Sequence, residues 1–260
     1  MAVPSPDLAA LRQLGERVRP LTSVAERVLA VPEPLAVLLP HGGLARGTTV
    51  VTGGVAATSL ALALTGPTTT TGGWVAVVGL GDLGLLAAAE LGVALERTLL
   101  VSEPPASAWA TTVSSLLDAV EVVLVRPGRG VPTSVQRRLA ARARDRGSVL
   151  IQAGGRAGVW AEAPDLTVTA TAATWEGVGQ GHGHLVVRRV TVSVAGRRGA
   201  VRPRGGALWL PGPDGRITAV AAVAPVTDGV DELGGESVAM AAGIPPSSQR
   251  SGPVPLREVG

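Results

Sequence analysis

Cysteine, phenylalanine, tyrosine, lysine and asparagine do not occur among the 260 residues. Without cysteine there are no disulfides, thiolate metal sites, iron–sulfur clusters or cysteine nucleophiles. Five tryptophans are the only aromatic residues, so platforms for stacking nucleic-acid bases are scarce. Isoleucine occurs three times and every one of the 23 basic residues is arginine, a bias that reflects GC-rich coding rather than a fold. What is present is 46% hydrophobic and 17% charged, with a mean hydropathy of +0.35. That is the balance of a globular chain with a sizeable core.

The first twenty residues lack the apolar stretch and small-residue cleavage site of a secretory signal, which sets the expected location in the cytoplasm. Thr48 to Gly81 carries no charge, but Gly66-Pro67, Thr68 to Thr71 and Gly72-Gly73 divide it into pieces too short to cross a bilayer. A buried strand, helix and strand are expected there.

Ser5-Pro6-Asp7 supplies a cap, a first-turn proline and a first-turn acid. Leu8, Leu11, Leu14 and Val18 follow at helical spacing, predicting a helix over 6–19 that ends at Pro20. A second helical piece is expected from Ser23 to Leu29. Strands are then expected at Thr48–Thr52, Trp74–Val78, Thr98–Val101, Val120–Val125 and Ser148–Gln152. Helices are expected at Thr58–Leu64, Leu83–Leu91, Ala106–Ala119 and Thr133–Arg146. Strands that are apolar on both faces and alternate with helices imply a mostly parallel sheet covered on both sides. Beyond Gly155 the signals become antiparallel, at Asp165–Ala172, Gly183–Ala195 and Ala207–Leu210. From Asp214 onward Gly, Pro, Ser and small residues predict a disordered tail. The expected organisation is therefore an N-terminal helical segment (1–38), a core (39–213) and a tail (214–260).

Two turns have the form of phosphate loops. In VVTGGVAATSLALAL, residues 50–64, a strand runs through Gly53 and Gly54 into an apolar helix. A working loop reads G-x-x-x-x-G-K-[ST]. With Thr58-Ser59 at the hydroxyl end, Ala57 takes the lysine position and Ala56 that of the second glycine. Gly53, Gly54, Thr58 and Ser59 are thus candidate contacts of a degenerate nucleotide site, acting through backbone amides at a helix N-terminus. The second turn spells G-x-G-x-x-G with Gly79, Gly81 and Gly84, and Glu103 lies nineteen residues further on. This is the dinucleotide fingerprint, acid included, and it opens an alternative reading as an NAD(P)-binding protein. His41, His182 and His184 are the only imidazoles. His182-Gly-His184 without a third ligand is not a metal site, and Ser114-Ser115 lacks a His/Asp arrangement. No catalytic residue, metal ligand or cofactor is assigned.

Taken together, HGGLARG at 41–47, the 50–64 turn, LGVALERTLLV at 91–101 and VEVVLVRPG at 120–128 resemble the RecA-like core. More narrowly they resemble the RecA-related accessory proteins of mutagenesis cassettes, the ImuA family in its actinobacterial branch. The likeness covers about residues 35–205 and includes the Gly-rich stretch from Trp175 to Gly199. It implies an α/β fold with a RecA-like P-loop core, a mostly parallel sheet flanked by helices and an antiparallel hairpin extension. It also implies a role in translesion synthesis and damage-induced mutagenesis, with a Y-family polymerase-like protein and an error-prone replicative-type polymerase subunit as partners. Nucleoid association would follow when those partners are bound. A RecA-like cell-division inhibitor is the neighbouring alternative. The departures from the pattern are specific: Ala57 replaces the lysine and Arg126 stands where an acid would hold Mg²⁺ through water. Leu80 falls at the place of the water-activating glutamate, with Asp82 the only acid close by. A non-hydrolysing relative is expected.

Charge is divided along the chain. Residues 126–204 hold 14 arginines against four acids, whereas the rest holds nine against sixteen. Arg137 and Arg138 on the last core helix, and Arg188, Arg189, Arg197 and Arg198 around the hairpin, are candidate contacts for DNA phosphates bound without sequence preference. No membrane partner is expected.

Overall fold

The computed structural model describes residues 27–126, 130–154, 163–179, 182–197 and 202–220, all within one compact unit. The helix expected over 6–19 and the tail expected beyond 220 lie outside the described residues. The core is a nine-stranded sheet. Its parallel part comprises β3 (Thr49–Gly54), β4 (Val75–Val78), β5 (Thr98–Val101), β6 (Val122–Val125), β7 (Val149–Ala153) and β8 (Leu166–Gly179), in the order β5-β4-β6-β7-β3-β8. Beyond β8 the sheet continues antiparallel through β9 (His182–Gly196), β10 (Arg204–Trp209) and β11 (Thr218–Ala219).

The continuous apolar strands are explained by two-sided cover. Every residue of β4, β6 and β7 is buried, and because side chains alternate across a strand they divide between two cores. Val75, Val77, Val122, Leu124 and Ile151 pack with Leu60 and Leu64 of α2 (Ala57–Thr70). Ala76, Val78, Val123, Val125 and Leu150 pack with α4 (Ala106–Ala119) and α5 (Thr133–Arg146), through Trp109, Val113, Leu117 and Leu139. Fully burying each large aliphatic contributes about 2 kcal/mol before entropy is subtracted. The described residues also form two shorter helices, α1 (Glu33–Ala36) and α3 (Leu85–Glu90), and a 3₁₀ turn at Leu95–Arg97.

The structure departs from the sequence expectations at identifiable places. The helix expected to stop at Leu64 runs to Thr70, through Gly66 and Pro67. Gly66 sits so close to the backbone of Gly92 that a Cβ would approach its carbonyl to 3.0 Å. Thr65 and Thr69 donate their hydroxyls to the carbonyls of Leu62 and Gly66, at 2.8 and 2.7 Å. Burial and local hydrogen bonds thus outweigh the poor helix propensity of the run. Among the described residues no helix is long and apolar enough to cross a membrane.

Of the helical piece expected over 23–29, residues 23–26 lie outside the described residues, and 28–29 belong to β1 (Val28–Ala30), which pairs antiparallel with β2 (Gly43–Ala45). Gly43 permits this pairing, because a Cβ there would overlap the Leu29 carbonyl. Leu29, Val31, Leu35 and Leu38 are buried in the main core, and β11 pairs with β10 at the sheet edge.

Candidate functional site

The first phosphate-loop candidate lies where such loops belong, at the C-terminal end of a central strand leading into a buried helix. Its local geometry is different. β3 ends at Gly54 and α2 begins at Ala57, so only Val55 and Ala56 connect them. The Val55 N–H donates to the Ala170 carbonyl at 3.2 Å and is committed to β8. Gly54 has φ +79°, and a Cβ on it would overlap that same carbonyl. The turn is pressed against the neighbouring strand, and the Val55 amide is not free to join a ring of amides around a phosphate. Ala57, at the lysine position, is buried.

Over the turn lies a cavity of about 310 Å³ lined by Gly54, Thr58, Ser59, Arg126 and Arg188, among others. Gly53 is one residue back in the strand and does not line it. The sheet brings in the two arginines from opposite sides, Arg126 from the end of β6 and Arg188 from β9. Arg126 is ion-paired with Asp82. Arg126, at the expected place of the magnesium-holding acid, and Asp82, the acid nearest the expected place of the water-activating glutamate, are therefore spent on each other, while Leu80 is a core residue.

Among the described residues, Arg188 is held by neutral groups. Its Nη2 donates to Ser59 Oγ at 2.8 Å and its Nε to the Leu210 carbonyl at 2.7 Å. The guanidinium stacks 4.9 Å from the centroid of the Trp175 ring, a cation–π contact. Burial lowers its pKa, but an arginine stays protonated. From Ser59 and Arg188 a groove of about 490 Å³ continues past Trp175 and His184. The glycine turn 79–84 lacks the layout of a dinucleotide site. α3 begins only after Gly84 and is six residues long, and the Glu103 carboxylate sits against Gly79, where a Cβ would collide with it. A carboxylate there repels the pyrophosphate that the fingerprint would hold. Among the described residues no group of three or more His, Asp or Glu could hold a metal ion.

The six arginines expected to contact DNA do not form one face. Arg188 and Arg189, as strand neighbours, point to opposite sides of the sheet, Arg188 toward the cavity. Arg137 and Arg138 are exposed on α5, Arg197 lies at the opposite end of the sheet beyond β9, and Arg198 lies outside the described residues. Arg142 and Arg146 of α5 are engaged by Asp118 of α4. Sequence reasoning missed the direction of Arg188 into the phosphate turn. The signal available was its position within a strand run that pairs beyond β8.

Residues 37–162 match the family model described as the MT3502 N-terminal domain. The uncharacterized protein Rv3395c of Mycobacterium tuberculosis (strain ATCC 25618 / H37Rv) is 35% identical over 146 residues, spanning 55% of this chain and 70% of that protein. The crystal structure of the RadB recombinase superposes with a TM-score of 0.51 at 17% identity, covering 72% of this chain and 97% of RadB. That likeness establishes the RecA-like fold.

Proposed function

The chain belongs to the MT3502 N-terminal domain family, and from that membership and its RecA-like fold we propose that it is a non-hydrolysing accessory protein that organises an error-prone polymerase during DNA-damage tolerance. The observation that carries the reading is the phosphate turn. It keeps the RecA-like position, yet it is closed by a two-residue connection and its cavity holds Arg126 and Arg188 in place of a lysine, a magnesium-holding acid and a water-activating acid. Phosphoryl transfer is accelerated almost entirely by positioning and charge stabilisation, and Ala57, Arg126 and Leu80 are not residues that supply them. A fold retained after its catalytic groups are gone serves as a scaffold, and the resemblance of residues 35–205 to the ImuA family supplies the partners: a Y-family polymerase-like protein and an error-prone replicative-type polymerase subunit.

Deleting the gene tests the proposal. Ultraviolet-induced mutation frequency is expected to fall, with survival of undamaged cells unchanged. An undiminished mutation frequency would overturn the translesion role, and filamentation on overexpression would point instead to the cell-division alternative.

A further inference from the structure

Between the outer end of the β8–β9 hairpin, helix α3 and the turn that joins β10 to β11 runs the groove of about 490 Å³ that begins at Ser59 and Arg188. We propose that it is a docking groove for a linear peptide of a partner protein, a segment in which one carboxylate is flanked by large apolar side chains. The carboxylate sits on Arg188, and the apolar side chains sit on Trp175, Leu185 and Val186. The proposal rests on the adaptor reading, in which two partners require two docking surfaces, and adds one of them.

The charge requirement comes from Arg188. It lies directly opposite Trp175 in the register of β8 with β9, so the stack of guanidinium on indole is a cross-strand contact. Of the five N–H groups of a guanidinium, the Ser59 hydroxyl and the Leu210 carbonyl engage two. The others have no acceptor, and the charge has no carboxylate partner, among the described residues. A half-buried cation without a counter-charge loses hydration and regains no Coulomb energy. A carboxylate entering the groove supplies both the charge and the acceptors. Glu90 lines the same groove, and Asp214 stands in its turn, where its carboxylate accepts from the Arg216 N–H at 3.1 Å. A run of acids is therefore repelled, and a single carboxylate is what the walls select.

The apolar requirement comes from the walls. Trp175, Leu185 and Val186 line one groove yet keep 43, 53 and 45% of their surface exposed. Apolar surface also adjoins it on both sides, with Val178 of the hairpin 56% exposed and Leu86 of α3 74% exposed. A segment laid across the groove covers these flanks, whereas a small acid fills only the middle. The walls are set before any ligand arrives. Gly215, with φ +78°, seats the β10–β11 turn on α3, where a Cβ would stand 3.4 Å from that of Glu90. The turn closes on itself, with the Gly212 N–H donating to the Arg216 carbonyl at 2.6 Å and the Gly215 N–H to the Gly212 carbonyl at 3.0 Å. A preformed groove loses little freedom on binding.

The test is fluorescence anisotropy of a labelled heptapeptide pool titrated with the full chain. Each peptide has a central Asp, Leu, Val, Phe or Trp at the two positions on either side, and Gly and Ser at its ends. A second pool carries Asn at the centre, and a third carries a row of Asp there. The Asp pool is expected to bind saturably and about tenfold tighter than the Asn pool, through one charge-assisted contact, and the acidic-row pool no tighter than the first. Equal binding of the Asp and Asn pools, or no saturable binding of the Asp pool, overturns the proposal with the protein left unaltered. Leu185→Glu is expected to weaken binding of the Asp pool about tenfold. Leu100→Glu changes an equally exposed leucine, at 54%, on the edge strand β5 and is expected to leave binding unchanged; an equal loss there would mean unspecific apolar attraction and no groove. Arg188→Gln is read beside a thermal melt: in the folded variant the preference for Asp over Asn is expected to vanish, and a preference that persists overturns the assignment of Arg188. Displacement by octanoate at equal carboxylate concentration would assign a small apolar acid and overturn the peptide. Undiminished mutation frequency in the deletion strain overturns the adaptor reading and leaves these binding measurements standing, and failure of the pools to bind leaves that genetic result untouched.

Discussion

Arg188 of β9 and Ser59 of α2, 129 residues apart, are joined by a hydrogen bond of 2.8 Å from Nη2 to Oγ. The long hairpin is thereby fastened to the helix that follows the phosphate turn. Arg188→Ala removes this bond, the bond to the Leu210 carbonyl and the stack on Trp175. It is expected to cost about 1–3 kcal/mol in chemical denaturation. Arg188→Lys keeps the charge but not the fork that reaches two acceptors in different directions, and is expected to recover less than half of that loss. Full recovery by lysine would show that charge alone matters there.

ATP turnover is expected to stay at background in a phosphate-release assay, with or without Mg²⁺. Ala57→Lys is expected not to raise it, because Arg126 and Leu80 still stand where the magnesium-holding and water-activating acids would be. Turnover that Thr58→Ala abolishes would mean that the turn still works as a nucleotide loop.

The two glycines of that turn separate backbone demand from ligand demand. Gly54→Ala meets both a left-handed φ and the Ala170 carbonyl, and is expected to destabilise the fold by at least about 2 kcal/mol. At Gly53 the nearest atom to a new Cβ is the Thr169 hydroxyl at 3.6 Å, an ordinary contact, so Gly53→Ala is expected to be nearly neutral. Equal melting temperatures for the two variants would contradict the close approach of β8 to the turn.

Much of the fold was legible because its signals are local and repeated. The runs Val75–Val78 and Val122–Val125, apolar at every position, specify strands buried on both faces, and the ranges expected for α4 and α5 coincide with those observed. What escaped depends on contacts distant in sequence. Gly66-Pro67 reads as a break, and only Gly92 against its surface shows why a helix continues there. Val28–Ala30 becomes a strand because Gly43 lets it pair, which no helical count registers. At the candidate site, the loss of the lysine and both acids was visible as residue types, but Arg188 was grouped with surface arginines because its direction is fixed by the register of β8 with β9.

The ion pairs between α4 and α5 give a pH dependence of known sign. The hydrogen bond from Arg142, aided by the charges of Arg142 and Arg146, lowers the Asp118 pKa below the ordinary carboxylate value. A lowered folded-state pKa stabilises above the unfolded-state value and is lost as the pH falls through the folded one. The melting temperature of the wild type relative to Asp118→Asn is therefore expected to be highest near neutrality and to shrink in acid, below the usual carboxylate range. A difference that stays constant from neutral to strongly acid pH would show that the asparagine variant fails for a reason other than charge.

The boundary of the core decides how the remainder of the chain can be tested for partner docking. β11 pairs Ala219 with Leu208 and Thr218 with Trp209, the Val220 N–H donates to the Ala207 carbonyl at 3.2 Å, and Ile217 is buried in the main core. A chain ending at Pro213 loses all of this. The burial of Ile217 alone is worth about 2 kcal/mol, and the edge of β10 would be left open to pairing with other chains. It is expected to melt lower than the full chain and to aggregate, so a lost interaction there would be uninterpretable. A chain ending at Ala221 keeps the strand and is expected to melt with the full-length protein. Residues 222–260 alternate short apolar runs with glycine and acids, a composition suited to ordering against a partner. Capture of the polymerase-like partner by the full chain, and its loss in the chain ending at Ala221, is the expected result. Equal capture by both would place the interface on the core.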